Sequence, residues 1–305
     1  MSKGLVDVTT LARIRDLNLI AKLVIQGGAY GLHSSRQRGA GFEFSQYRTY
    51  QPGDDLRYVD WKLFTRTDRL FVREADRESQ QNVWFLCDLS ESMNQPSGQI
   101  SDWTRLDCAK CLIATLAHLI CAQGDHFGFL GLREATPPIL PDGLGQQHLQ
   151  KLYRTLDQMQ ASGSSAGFIE TPALYESIQD ADVTVFVTDH FQLNQEFSSL
   201  TSKLAAAGKE LVVIQLLTRD EKEFPFKGNL AFEDRETGET LEVDAGDFRQ
   251  HYLTNLELEL SKNASHILSL GGQFHELIIE DPLDASIWHL LKARQAPKSR
   301  RGLSS

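Results

Sequence analysis

Residues 83–92 read Val-Trp-Phe-Leu-Cys-Asp-Leu-Ser-Glu-Ser. The five leading apolar residues do not alternate with polar ones, and this pattern predicts a strand that is covered on both faces, as in a parallel sheet. Asp88, Ser90 and Ser92 then follow in a turn at the carboxyl end of that strand. Open α/β sheets bind their ligands in the crevice at this edge. The stretch therefore predicts a parallel sheet whose edge carries the outline of a hard-cation site.

Strand and helix patterns alternate along the chain after residue 82. The predicted strands are 83–87, 126–132, 183–188, 211–217 and 275–280, with a short edge strand near 137–140. The predicted helices lie near 104–123, 145–160, 172–180, 195–207, 246–270 and 283–293. This alternation indicates an α/β fold with a doubly wound, mostly parallel sheet flanked by helices, of the Rossmann type. In the strand order 3-2-1-4-5-6, the first and fourth strands are neighbours, and by chain order these are the strands that precede Asp88 and Asp189.

Three parts are predicted along the chain. They are residues 1–80, a helical and β extension packed on the sheet domain; residues 81–295, the sheet domain with a β-hairpin insertion near 224–244; and residues 296–305, a flexible tail. In the first part, residues 9–26 carry apolar groups at helical spacing, and Gly27-Gly28 is expected to end that helix.

The net charge of the chain argues against two classes of partner, nucleic acids and anionic lipids. Its formal net charge of −10 at pH 7 argues against a general nucleic-acid binder and against docking on anionic lipid. The longest apolar stretch, residues 111–122, is shorter than the ~20 residues of a membrane span and indicates a core helix. Residues 1–25 show no compact hydrophobic segment or cleavage site. We therefore expect a cytoplasmic protein without a membrane span, whose partner is another protein.

Two further segments supply oxygen atoms to the predicted cation site. Thr171 lies between a Gly/Ser-rich loop and a predicted helix. Asp189 directly follows the predicted strand 183–188. Oxygen-only ligation favours Mg²⁺, with Mn²⁺ or Ca²⁺ as alternatives, over zinc. The structural alternative is that each residue only caps a turn or a helix. The predicted metal ligands are Asp88, Ser90, Ser92, Thr171 and Asp189.

These ligands resemble the metal-ion-dependent adhesion site of von Willebrand factor type A domains. The upstream sequence is more specific, and it resembles the signature of the bacterial family called domain of unknown function 58 over about residues 30 to 290. His190 departs from the glycine that many type A domains carry after this aspartate. The shared positions are Gly41-Phe-Glu-Phe, Arg48-x-Tyr50-x-x-Gly53-Asp54-Asp-x-Arg57-Tyr-Val-Asp60-Trp61, Arg66, Arg69-Leu and Val72-Arg-Glu, followed by Asp88-x-Ser-x-Ser-Met93.

The resemblance implies a partner and a mode of action. Members of that family are commonly encoded beside MoxR-type AAA+ ATPases and are thought to act with them, as adaptors or in metal-dependent assembly. It therefore implies a non-enzymatic, divalent-metal-dependent protein-interaction module. A metal-assisted phosphoester hydrolase with Asp88 as nucleophile is the enzymatic alternative, although Ser90 stands where such enzymes place a second aspartate. A structural scaffold with a vestigial metal site is the third hypothesis.

The segment 36–78 interleaves arginines with carboxylates, so that the two signs roughly cancel. It can form an internal ion-pair lattice, because guanidinium groups pair bidentately with carboxylates, or a surface that recognises a partner. Its acidic residues argue against RNA binding. The candidate residues for either role are Arg48, Gly53, Asp54, Arg57, Asp60 and Trp61.

Overall fold

The computed structural model contains a six-stranded sheet. It describes residues 6–14, 16–31, 46–49, 71–74, 80–133, 137–163, 178–190, 194–207, 210–233 and 240–295. The chain divides into two compact units, residues 1–32 with 81–305 and residues 33–80. The smaller unit contains the antiparallel pair β1 (Gln46–Thr49) and β2 (Phe71–Glu74). The larger unit contains the central sheet.

The remaining elements follow in chain order. The strands are β3 (Asn82–Asp88), β4 (His126–Leu132), β5 (Ile139–Gly143), β6 (Val183–Thr188), β7 (Glu210–Leu217), β8 (Asn229–Glu233), β9 (Thr240–Asp244) and β10 (Gln273–Ile278). The helices are α1 (Val8–Leu11), α2 (Leu17–Gly31), α3 (Arg105–Gln123), α4 (Gly145–Gln158), α5 (Gln195–Ala207), α6 (Arg219–Glu223), α7 (Ala245–Ser269) and α8 (Leu283–Gln295). Strands β8 and β9 pair as an antiparallel hairpin.

The central sheet has the strand order β10-β7-β6-β3-β4-β5. Neighbouring strands are parallel except for β5, which is antiparallel to β4. Counted from β3, this is the order 3-2-1-4-5-6, so the predicted fold class is confirmed. Strand β5 begins at Ile139 and β10 at Gln273, each two residues from the predicted start. Because Cys87 pairs with Val187, the carboxyl ends of β3 and β6 are neighbours.

Both faces of the sheet are covered at the central strands β3, β4, β6 and β7, and this burial explains why these strands are largely apolar. Phe85, Phe127 and Phe129 belong to a core cluster that includes side chains of α2, α3, α4 and α8. Trp84 and Phe186 belong to a second cluster, with side chains of α5 and α7. Burying one such large apolar side chain contributes about 1.5–3 kcal/mol. The two clusters therefore hold the sheet from both sides.

The single N-terminal helix predicted over residues 9–26 is wrong, because the structure has two helices there, α1 and α2. The Asp16 carboxylate accepts a hydrogen bond from the backbone N–H of Asn18 at 2.9 Å, which starts α2 as a new helix. Helix α2 then continues through Gly27-Gly28. Glycine disfavours a helix by about 1 kcal/mol relative to alanine but removes none of its hydrogen bonds.

Helix α3 is long and apolar enough to cross a membrane by length and composition, yet 56% of its apolar window is buried within the protein. It packs against β4 and against α2, α4 and α8. A capping box starts it, since Thr104 Oγ1 accepts from the N–H of Asp107 at 3.1 Å and the Asp107 carboxylate accepts from the N–H of Thr104 at 3.0 Å. Gly124, with a φ of 83°, ends it. This is the packing of a core helix.

Phe224 ends α6 in the left-handed backbone conformation, with a φ of 46°. That conformation costs an L-residue roughly 1–2 kcal/mol. The side chain is buried, and its ring centroid lies 4.9 Å from that of Tyr252 and 5.2 Å from that of Phe226. Aromatic packing therefore offsets the backbone strain at this position.

We predict that Gly128→Ala destabilises the protein. Gly128 of β4 pairs with Trp84 of β3, and a Cβ at this position would lie 2.7 Å from the indole ring. Overpacking of this kind lowers the free energy of unfolding by about 1–3 kcal/mol, measured by urea denaturation. As a control, the same substitution is made in a Trp84→Leu background, where it should cost less. An equal cost in both backgrounds would show that the indole is not the cause.

Candidate functional site

Four of the five predicted cation ligands lie together at the carboxyl edge of the sheet. Asp88 is the last residue of β3, and Ser90 and Ser92 lie in the turn that follows it, which includes the short 3₁₀ helix Glu91–Asn94. Asp189 directly follows β6, the neighbouring strand. The fifth predicted ligand, Thr171, lies outside the described residues.

The structure does not describe the side chains of the family-signature residues in the N-terminal extension. Arg48 lies in β1, where only the backbone is described. Their role, structural or partner-binding, stays a prediction. The others, which lie outside the described residues, are Gly53, Asp54, Arg57, Asp60 and Trp61.

Hydrogen bonds through Ser90 and Ser92 connect the two carboxylates. Ser90 Oγ lies 2.9 Å from Ser92 Oγ, and Ser92 Oγ donates to Asp189 Oδ1 at 3.0 Å. The backbone N–H of Ser90 donates to Asp88 Oδ1 at 2.9 Å, and the Thr188 hydroxyl donates to Asp88 Oδ2 at 2.8 Å. Two carboxylates and two serine hydroxyls therefore form one connected cluster of oxygen atoms, which we call the edge cluster.

Backbone hydrogen bonds hold the turn that carries the two serines. The N–H of Leu89 donates to the carbonyl of Leu132 at 3.0 Å, and the carbonyl of Leu89 accepts from the N–H of Ser162 at 2.8 Å. The N–H of Glu91 donates to the carbonyl of Gly163 at 2.8 Å. The turn is thus fixed by β4 and by the segment after α4, and its shape does not depend on the serine hydroxyls alone.

His190 lies beside the edge cluster. Its backbone N–H donates to Thr188 Oγ1 at 3.0 Å. Its ring stacks on Phe197 of α5, with ring centroids 5.2 Å apart. The imidazole is therefore packed against α5.

A buried arginine that the sequence analysis did not select contacts the edge cluster. Arg105 is the first residue of α3, and its side chain is 8% exposed. Its Nη1 donates to Asp189 Oδ2 at 2.8 Å and to the backbone carbonyl of Ser92 at 3.0 Å. Its Nη2 donates to Glu221 Oε1. One guanidinium group therefore joins the turn after β3, the end of β6 and helix α6.

Glu221 is itself held by the start of α6. Thr218 donates to Glu221 Oε2 from its backbone N–H at 2.7 Å and from its hydroxyl at 2.9 Å. This is a capping box, and Thr218-Arg-Asp-Glu221 is the sequence pattern that marks one. The pattern could have located a fixed carboxylate after β7, although it gives no sign of the partner on α3.

The charges of this region are unbalanced. Burial, followed by the negative charge of Asp189, raises the pKa of Asp88 from its ordinary 3.8 to about 7. Burial alone would lower the pKa of Arg105, but the charges of Glu221 and Asp189 raise it above its usual value, so the guanidinium stays protonated. With all four groups ionised, three carboxylates and one guanidinium carry a formal charge of −2.

The donor atoms of the edge cluster fit a hard divalent cation. All are oxygens, and carboxylate and hydroxyl oxygens have lone pairs beyond the hydrogen bonds described above. Among the described residues, no three His, Cys, Asp or Glu side chains are grouped to hold a metal ion. An ion at this edge would therefore depend on the hydroxyls of Ser90 and Ser92 as well as on the two carboxylates.

Comparison with known sequences gives the family. The model of the family described as "Protein of unknown function DUF58" matches residues 46–286, more than half of the chain. The chain belongs to the DUF58 family. Uncharacterized proteins of Mycobacterium tuberculosis and Mycobacterium bovis are 28% identical to this DUF58 protein over 242 residues, which cover 78% of this chain and 75% of each relative.

Several solved structures are also similar to this DUF58 protein. The conserved hypothetical protein BatB from Bacteroides thetaiotaomicron is 15% identical, with a TM-score of 0.40, and the match covers 70% of this chain and 99% of that one. The PilB minor pilin from Streptococcus sanguinis is 11% identical, with a TM-score of 0.44, and the match covers 74% of this chain and 64% of that one.

We predict that the stability of Asp88→Asn in EDTA, relative to wild type, increases as the pH rises, on top of a constant cost for the hydrogen bond that the amide nitrogen cannot accept. Because the pKa of Asp88 is raised in the folded state, its contribution to stability is present below its ordinary pKa of 3.8 and is lost as the pH rises through about 7. The difference in thermal midpoint between variant and wild type should grow over this range and then level off. Asp180→Asn, at an exposed position, is the control. A difference that does not change with pH would contradict the raised pKa.

Proposed function

We propose that this DUF58 protein is a non-enzymatic, divalent-ion-dependent protein-interaction module that acts as an adaptor or assembly factor with a MoxR-type AAA+ ATPase. The observation that supports it most is the edge cluster, in which the Ser92 hydroxyl lies within hydrogen-bond distance of both Ser90 Oγ and Asp189 Oδ1. The cluster lies at the carboxyl edge of a parallel sheet, where open α/β folds bind ligands. The choice of ATPase as partner follows from the family resemblance.

Mg²⁺ is the ion we propose, with Mn²⁺ or Ca²⁺ able to replace it. Asp88, Ser90, Ser92 and Asp189 would hold it, together with Thr171 as the fifth ligand, and this set resembles the metal-ion-dependent adhesion site of von Willebrand factor type A domains. A bound ion with an open coordination position supplies an attachment point for a carboxylate of the partner. Such a contact suits a chain with a net charge of −10, whose surface alone would repel an acidic partner.

The surrounding residues orient the ligands before an ion arrives. The N–H of Ser90 and the hydroxyl of Thr188 each hold one oxygen of Asp88. Arg105 holds Oδ2 of Asp189 and the carbonyl of Ser92. Preorganisation of this kind lowers the conformational entropy that binding must remove.

The residue types at this edge favour an interaction module over a hydrolase. Ser90 stands where a second aspartate would act as general acid in an aspartyl phosphatase.

The first prediction from this proposal is an ion-dependent rise in thermal stability. A ligand that binds only the folded state at about a hundredfold excess over its Kd stabilises that state by about 2.7 kcal/mol, which raises the midpoint by several degrees. Wild type should show this rise on moving from EDTA to Mg²⁺, Mn²⁺ or Ca²⁺, and Asp88→Ala should not. Asp180→Ala serves as the matched control, since it removes an exposed aspartate outside the edge cluster. Equal shifts in wild type and Asp88→Ala would exclude the edge cluster as the ion site.

The second prediction concerns the partner. The ATPase itself needs Mg²⁺ with its nucleotide, so removing the metal would affect both proteins, and the test is made at constant Mg²⁺. Immobilised wild type and Asp180→Ala should retain the ATPase, whereas Asp88→Ala should retain at least about tenfold less. Equal retention by all three proteins would reject the metal-dependent contact, although not ion binding itself.

A further inference from the structure

The guanidinium of Arg105 lies where its positive charge would repel a divalent ion bound at the edge cluster. Asp189 accepts from Ser92 at Oδ1 and from Arg105 at Oδ2, so each oxygen of this carboxylate already has a donor. The side chains of Arg105 and Asp189 are only 8% and 5% exposed. Water therefore screens the guanidinium poorly from any second cation that binds Asp189. Arginine also cannot lose its charge to relieve that repulsion.

Glu221 acts on the same guanidinium from the opposite side. It pairs with Nη2 of Arg105, while Nη1 pairs with Asp189. Its other carboxylate oxygen is fixed by the two hydrogen bonds from Thr218. The negative charge of Glu221 thus offsets the positive charge that the edge cluster experiences.

We infer that Arg105 is a tethered cation that competes with a divalent ion for Asp189, and that Glu221 sets the strength of this competition. The inference rests on the function proposed above for the edge cluster, and it assigns to two further residues the control of its ion affinity. Without an ion, Arg105 holds Asp189 and the Ser92 carbonyl in place. With an ion, the same positive charge limits the affinity, and Glu221 reduces that limit.

This role predicts effects of opposite sign for two charge-removing substitutions. Arg105→Gln removes the competing charge and should lower the Kd for Mn²⁺ at least about tenfold. Glu221→Gln leaves the guanidinium charge without its counterion and should raise the Kd by a comparable factor. A residue that only held the loops in place would weaken ion binding when removed, so both substitutions would then raise the Kd.

The experiment is titration of each protein with Mn²⁺ alone, followed by calorimetry and by the electron paramagnetic resonance signal of free Mn²⁺. Arg105→Lys keeps the charge but loses the planar two-nitrogen geometry, so its Kd should stay closer to wild type than that of Arg105→Gln. Arg219→Gln is the matched control, because Arg219 lies at the start of α6 and pairs with Glu223 and Asp281 instead. It should change the Kd by no more than about twofold, since its charge is partly exposed to solvent and screened.

The outcomes separate this inference from the proposed function. A wild type that binds Mn²⁺, with a Kd that is unchanged or higher in Arg105→Gln, overturns the tethered cation alone. Mn²⁺ binding by Arg105→Gln but not by wild type supports the tethered cation and overturns the proposed function. Binding by neither protein overturns both. If Arg105→Gln unfolds in EDTA, recovery of its circular dichroism spectrum on adding Mn²⁺ supports the inference, and failure to recover overturns it.

Discussion

The parallel pairing of β3 with β6 is the constraint on which the rest of the structure depends. Both strands are covered on two faces, so their backbone groups must be paired and their side chains must be almost entirely apolar. The charged groups of these two strands can therefore lie only where the strands end. The register that sets Cys87 beside Val187 brings the two ends level, and the turn after β3 emerges beside the residue that follows β6. The edge cluster is a direct result of this register.

The sequence was sufficient to predict the sheet because its signal is local and strong. The central strands β3, β4, β6 and β7 are largely apolar runs of strand length, and the alternation with helices leaves few possible topologies. The N-terminal helix was wrong for a local reason, since Asp16 starts a second helix inside a stretch whose apolar spacing runs on without a break. Helix α6 was missed because it is only five residues long and has no buried residues to give it a helical period.

The candidate site could likewise be predicted only in part from the sequence. Asp88, Ser90, Ser92 and Asp189 could be selected from sequence because they follow strand ends, and the strand order brings them together. Arg105 could not, since a charged residue at the start of an apolar helix usually lies in solvent. Its burial depends on carboxylates 84 and 116 residues away in the chain, at Asp189 and Glu221. A buried ion pair of this kind depends on three-dimensional packing, which the hydrophobic pattern of the sequence does not reveal.

The left-handed backbone at Phe224 has a consequence for the carboxylate three residues before it. Glycine would relax the φ of 46° but would remove a ring whose loss from a core typically costs 3–5 kcal/mol, and any other L-residue would keep the strain. No substitution can therefore improve both backbone and packing at position 224. Aromatic packing therefore adds to the backbone hydrogen bond from Phe224 to Asp220 at the end of α6, and the placement of a charge beside the edge cluster depends in part on a contact with Tyr252.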